Sequence, residues 1–116
     1  NLAVQVLDPT TLEARFARRS IEGQELGLSL FRLGPSLRIP FGHKHAGQEE
    51  VYVVVKGSGR IKVEDEIVEL AQWDAIRLDK DTMRAVEAGP DGIEYLAFGA
   101  GDDPSEVEMA QGWWSD

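Results

Sequence analysis

The sequence predicts an all-β barrel or sandwich, and three features predict it. Apolar residues recur with a period of two rather than 3.6 along most of the chain, which is the alternation of strands with one buried face. The apolar runs are short and closely spaced, with Gly, Pro, Asp or charged clusters between them. At 116 residues with 42% hydrophobic content, the chain can bury one core and is too short for two, so residues 1–116 are expected to form a single domain.

In chain order, residues 9–17 come first. Leu12 and Phe16 lie one helical turn apart there, which leaves a short helical turn, a strand and a coil all open. Leu26, Leu28 and Leu30 then alternate with small or polar residues ahead of Phe31, Arg32 and Leu33, and Leu37 and Ile39 continue the pattern beyond Gly34-Pro35. Residues 51–55 read as a β-branched strand with Tyr52 inside it, and Gly57-Ser58-Gly59 is expected to turn it into a strand over 60–63. Strands over 67–70, 74–78, 83–88 and 93–98 follow, separated by charged turns or by Gly89-Pro90-Asp91-Gly92. Glu64-Asp65-Glu66 has no calcium-loop spacing and reads as a solvated hairpin tip. Gly99-Ala100-Gly101 lacks the third glycine and the long helix of a dinucleotide fingerprint and reads as a turn. Asp103 as an N-cap, Pro104 in the first turn and an early Glu106 predict a short C-terminal helix around 104–110, leading to Trp113 and Trp114.

Composition excludes several classes of function. A formal charge of -9 argues against nucleic acid, whose phosphates demand clustered Lys and Arg; Arg15, Arg18 and Arg19 form the only local basic cluster and read as a solvated face. The absence of cysteine removes disulfides and thiolate metal sites. No apolar run approaches the ~20 residues of a membrane span, and no charged-then-apolar leader is visible, although a chain that begins at Asn1 leaves a processed leader open. A soluble, cytoplasmic protein is the expectation.

The residues that carry chemistry are few. The only two histidines, His43 and His45, lie two apart, and the pair Glu49 and Glu50 follows. On an extended backbone residues i and i+2 face the same way, so both imidazoles would enter one pocket. Two imidazoles beside a carboxylate form the facial ligand set that leaves metal coordination positions open. The same triplet on a surface loop would bind nothing, so its context decides.

That context, GHKHAGQEEVYVVVKGSGRIKV over residues 42–63, resembles the first motif of the cupin superfamily: H-x-H, four residues, Glu50, six residues and Gly57. Leu37 stands where the family's leading glycine is usual. The resemblance selects Glu50 over Glu49 and implies a metal site of His43, His45 and Glu50 for a divalent transition ion such as Zn, Fe, Ni, Cu or Mn. It covers about residues 26–98, with motif 1 at about 42–57, and implies a double-stranded β-helix, a jelly-roll barrel. Gln48 and Tyr52, on the same strand as Glu50, become candidate substrate contacts.

The second cupin motif aligns with residues 73–86, WDAIRLDKDTMRAV, in degenerate form. Asp74 is retained, Trp73 replaces the usual glycine, Asp79-Lys80-Asp81 replaces the Pro-x-Gly turn, and Arg84 stands where the family places a third histidine. A guanidinium cannot ligate a cation. Either the three remaining ligands hold a metal while Arg84 binds an anionic substrate across it, or Arg84 pairs with Glu50 and the pocket is metal-free; a solvent-facing Arg84 is the third alternative.

Two classes of function follow from the resemblance. One is a metal-dependent enzyme, an oxygenase or isomerase acting on a small polar, anionic substrate. The other is a non-catalytic module binding a small ligand or sugar. Parity adds an expectation about assembly: if Glu50, Tyr52 and Val54 face inward, Val51, Val53 and Val55 face outward, and an outward apolar row predicts a homodimer packed sheet on sheet, or cover by the N-terminal segment or the terminal tryptophans.

Overall fold

The computed structural model describes residues 3–8, 12–17, 22, 26–45, 48–101 and 107–115. These form nine strands: β1 (Ala3–Asp8), β2 (Leu12–Phe16), β3 (Leu26–Leu33), β4 (Gly42–His45), β5 (Gln48–Val63), β6 (Glu66–Leu70), β7 (Ala75–Leu78), β8 (Arg84–Gly101) and β9 (Val107–Ala110). Every pairing is antiparallel. The sheet runs β1-β2-β3-β8-β4-β9, and β5 pairs with β6, β7 and β8. No helix occurs among the described residues, and none is long and apolar enough to cross a membrane.

The frame is a long ribbon of β5 against β8, in register from Gln48↔Gly101 to Val63↔Arg84. Two expected turns lie inside it. Gly57-Ser58-Gly59 and Gly89-Pro90-Asp91-Gly92 do not reverse the chain; each is a bend within one strand, marked by register shifts between Val54 and Lys56 and between Gly57 and Gly59. Gly57 and Gly92 both have left-handed backbones, at φ 77 and 81, and a Cβ on Gly57 would lie 2.1 Å from the Gly92 carbonyl oxygen. A Cβ on Gly92 would in turn lie 2.9 Å from the Leu33 carbonyl oxygen, so neither position has room for a side chain. The bend folds the ribbon over, so that its outer edges pair with β3 and β7 on one half and β6 on the other. Gly99-Ala100-Gly101, read as a turn, is the end of β8, where it pairs with both β3 and β5.

Alternation sorts the side chains as the sequence predicts. Tyr52, Val54, Ile61, Leu78, Val86, Ile93 and Tyr95 are buried in one core with Leu33, Leu70, Ala88 and Ala97. Phe31 stacks on Tyr95 at 5.1 Å between ring centroids, and Tyr95 packs on Tyr52 at 5.0 Å, so an aromatic wall crosses the interior. Each fully buried side chain of this size contributes about 1.5–3 kcal/mol. Val51, Val53 and Val55, on the other face of β5, are only half-buried.

Two segments depart from expectation. The predicted C-terminal helix is not formed over 107–110, which make strand β9 instead; residues 104–106 lie outside the described residues. The reason is tertiary: β4 has a free edge, and β9 supplies it with partners from Gly42↔Ala110 to His45↔Val107, which local capping signals cannot outweigh. Of the alternatives open for 9–17, residues 12–16 are a strand, β2, held between β1 and β3.

Candidate functional site

Folding the ribbon brings its two ends together. Glu50 lies near one end, opposite Gly99 and Leu78, and Arg84 lies at the other, opposite Val63. In the folded barrel the Arg84 guanidinium is fully buried, and its Nη2 forms an ion pair with Glu50 Oε1. Arg84 Nη1 donates to the Thr82 carbonyl at 2.8 Å, and Nε donates to the Tyr52 hydroxyl at 3.4 Å. The guanidinium also lies 5.8 Å from the centre of the Tyr52 ring. Burial pulls the Arg84 pKa down to about 10, with Tyr95 acting weakly in the other direction, so the group stays charged at neutral pH. Burial, reinforced by Tyr95, pushes the Tyr52 hydroxyl well above its ordinary range, and it remains a neutral O–H.

Gln48 shares the inward face of β5 with Glu50 and Tyr52 and is buried. It owes its place to Gly99: a Cβ there would lie 3.1 Å from Gln48 Oε1 and 3.5 Å from Glu50 Cγ. His43 is half-buried on β4, directly across from Arg84 in register. Positions 43 and 45 fall on the same face of that strand by its alternation; the His45 side chain lies outside the described residues. Arg84 thus contacts both Glu50 and Tyr52, with Gln48 near Glu50 across Gly99 and His43 on the neighbouring strand. Sequence reasoning missed Gly99, Thr82 and the wall of Tyr95 and Phe31. Cross-strand pairing could have found Gly99, because a glycine opposite a buried glutamate marks the space which that side chain fills.

The backbone at the degenerate second motif is distinctive. Both positions where the motif places glycine adopt left-handed conformations: Trp73 at φ 71 and Asp81 at φ 63. Trp73 is the third residue of a turn closed by Asp74 N to Ala71 O at 3.0 Å, where a bulky residue is strained and glycine is preferred. The backbone at 73 and 81 is thus of the kind that glycine adopts most readily.

The architecture matches known structures over nearly its whole length. A cupin protein from Bacteroides fragilis superposes with a TM-score of 0.71 at 24% identity, covering 91% of this chain and 89% of that one. This chain has the cupin fold. KdgF from Halomonas sp. superposes on it with a TM-score of 0.73 at 17% identity, covering 86% of each chain. Oxalate decarboxylase from Bacillus subtilis matches at a TM-score of 0.79 and 18% identity over 94% of this chain, which spans only 30% of that larger protein. No family model matches the sequence, and no curated protein matches it. At these identities the likeness concerns the cupin fold alone.

The ion pair bears on the metal that a cupin fold implies. Among the described residues no group of three His, Cys, Asp or Glu side chains is gathered as a metal site, and the carboxylate that would lead such a group is held by a guanidinium. A divalent ion at Glu50 would face that fixed positive charge at close range, with nothing anionic between them. The arrangement of Arg84 and Glu50 therefore does not fit a metal without rearrangement.

Proposed function

We propose that this chain is a small-molecule-binding cupin whose pocket is organised around Arg84 in place of a metal ion. The observation that carries the reading is the buried Arg84–Glu50 pair at the position of the motif's third histidine. A guanidinium held by Tyr52 and the Thr82 carbonyl is oriented in advance, and its planar fork suits a carboxylate far better than a lone ammonium would. The ligand class is a small polar molecule with an acceptor group, a carboxylate above all, with Gln48 and His43 as flanking polar contacts and Tyr52 as an aromatic wall.

Calorimetric titration with malonate, and with glucose as a neutral comparison, tests this. Malonate is expected to bind the wild type, and Arg84→Gln is expected to weaken it at least ~30-fold, about 2 kcal/mol, as loss of a charge-assisted hydrogen-bond donor requires. Equal affinity in the two proteins would remove Arg84 from the site.

The metal-dependent reading, an oxygenase or isomerase with His43, His45 and Glu50 as ligands, is supported by the pairing of His43 with Arg84 and by strand alternation, which gives positions 43 and 45 of β4 the same face. It requires Glu50 to leave Arg84, which would then hold the anionic substrate. Elemental analysis of native, untagged protein separates the readings: one equivalent of Zn, Fe, Ni, Cu or Mn per chain supports the enzyme, and its absence supports the metal-free binder.

The chain is further proposed to act as a homodimer. On the outer face, Val51 lies across from Phe98 and Val53 from Leu96, and these continue into Leu28 and Leu30 of β3. Phe98 is exposed and the others are half-buried, which leaves an apolar strip across three strands. Val53→Glu is expected to convert a dimer into a destabilised monomer in sedimentation velocity, and Val54→Thr, on the buried face, to leave the assembly intact. A wild type that sediments as a monomer at micromolar concentration would overturn the dimer.

A further inference from the structure

The segment before strand β4 is bonded to β8, Ile39 N donating to the Val86 carbonyl and Ala88 N to the Leu37 carbonyl, but β4 itself, which carries His43, has few pairings of its own with that strand among the described residues. Among the described residues its one register pair with β8 is His43↔Arg84, whereas β9 pairs with all four of its residues. Beyond β9 the chain continues into Trp113 and Trp114, and both indoles are fastened to the segment 38–42 or to the strand behind it. The Trp114 Nε1 donates to the Ile39 carbonyl at 2.8 Å, and its ring lies 4.5 Å from the Arg38 guanidinium and 5.2 Å from that of Arg60. Those two arginines clasp one carboxylate, Glu87, so the indole covers an ion-paired cluster that is already fixed. Trp113 is tied to Lys62 in both directions, Nε1 donating to the Lys62 carbonyl at 3.3 Å and Lys62 Nζ donating to the Trp113 carbonyl at 2.5 Å.

The decisive contact is with Gly42. This glycine does not have a left-handed backbone, so conformation does not demand it. Space does: a Cβ on Gly42 would lie 2.7 Å from Trp113 Cδ2 and 3.0 Å from Met83 Cγ. The indole occupies the volume that any side chain at position 42 would need, immediately before His43.

We propose that the C-terminal strand and its tryptophan pair are positioning elements of the ligand pocket: Trp113, seated on Gly42, and Trp114, seated on Arg38 and Ile39, hold β4 so that His43 stays in register with Arg84. The functional part of this inference rests on the proposed ligand pocket. The physical part, that β4 is held by the tail, does not.

The test uses the full-length chain with Trp113→Ala and Trp114→Ala, read by hydrogen exchange of the β4 peptide and by malonate titration. Exchange over residues 42–45 is expected to accelerate about tenfold while the β5 and β8 core is unchanged, because local opening is decoupled from global unfolding. Malonate affinity is expected to fall about tenfold in the same variants, as it does when a binding-competent state loses population. Unchanged β4 exchange, or equal acceleration of β4 and the core, would overturn the proposal, the latter because the tryptophans would then be stabilising the barrel generally. Gly42→Ala gives an independent arm: it should loosen β4 in the wild type and do so far less in the Trp113→Ala background, and additive effects would show that the two residues do not share that space. Should malonate fail to bind even the wild type, the ligand assignment falls, and the exchange data still decide whether the tail holds β4.

Discussion

Arg84→Met is expected to destabilise the protein by about 3–5 kcal/mol, because it leaves the Glu50 carboxylate buried without its counter-charge. Methionine conserves much of the volume, so the loss measures electrostatics rather than a cavity. The double variant Arg84→Met/Glu50→Leu is then expected to recover most of that loss, since a well-packed apolar pair of similar size is often as stable as a buried ion pair. Urea unfolding of the two singles and the double reads the coupling directly, and a double variant that is merely the sum of the singles would show that the two groups do not interact. Arg84→His extends the series to function. It releases Glu50 and supplies the imidazole that the motif lacks, so zinc affinity is expected to rise above that of the wild type. No gain in zinc affinity would mean that Arg84 is not what keeps a cation from this pocket.

Gly57→Ala is expected to cost about 4 kcal/mol or more, or to prevent folding, since its methyl group would meet the Gly92 carbonyl, 2.1 Å from an ideal Cβ. The obstacle is backbone, which cannot rotate away as a side chain can. The left-handed φ of 77 adds a conformational penalty of its own. Gly112→Ala provides the comparison, since φ is 62 there but nothing lies within 4 Å of the new methyl group. It should cost only about 1 kcal/mol, the conformational part alone. Thermal or urea denaturation of the two variants separates the terms, and similar losses in both would show that β5 and β8 do not cross as closely as described.

The all-β class, the inward row of Glu50, Tyr52 and Val54, and the cupin-like spacing over residues 42–57 were legible in the residues alone. Each depends on local information: a period of two fixes which face a residue takes once it is in a strand, and spacing within one motif survives whatever the rest of the chain does. The remainder depended on long-range packing. Gly57-Ser58-Gly59 and Gly89-Pro90-Asp91-Gly92 carry the residues of turns, yet they bend strands without reversing them, because the pairs Gly57↔Ile93 and Gly59↔Ala88 on either side hold β5 and β8 together across the bend. Residues 107–110 follow the signals of a helix start and become β9, because the open edge of β4 offers backbone partners that lie more than sixty positions away in the chain. The choice among the three alternatives for Arg84, made in favour of the pair with Glu50, has the same origin. Neither residue's neighbours specify the other; folding the β5–β8 ribbon at Gly57 and Gly92 superposes its ends, and a long-range closure of that kind leaves no periodicity for a sequence to show.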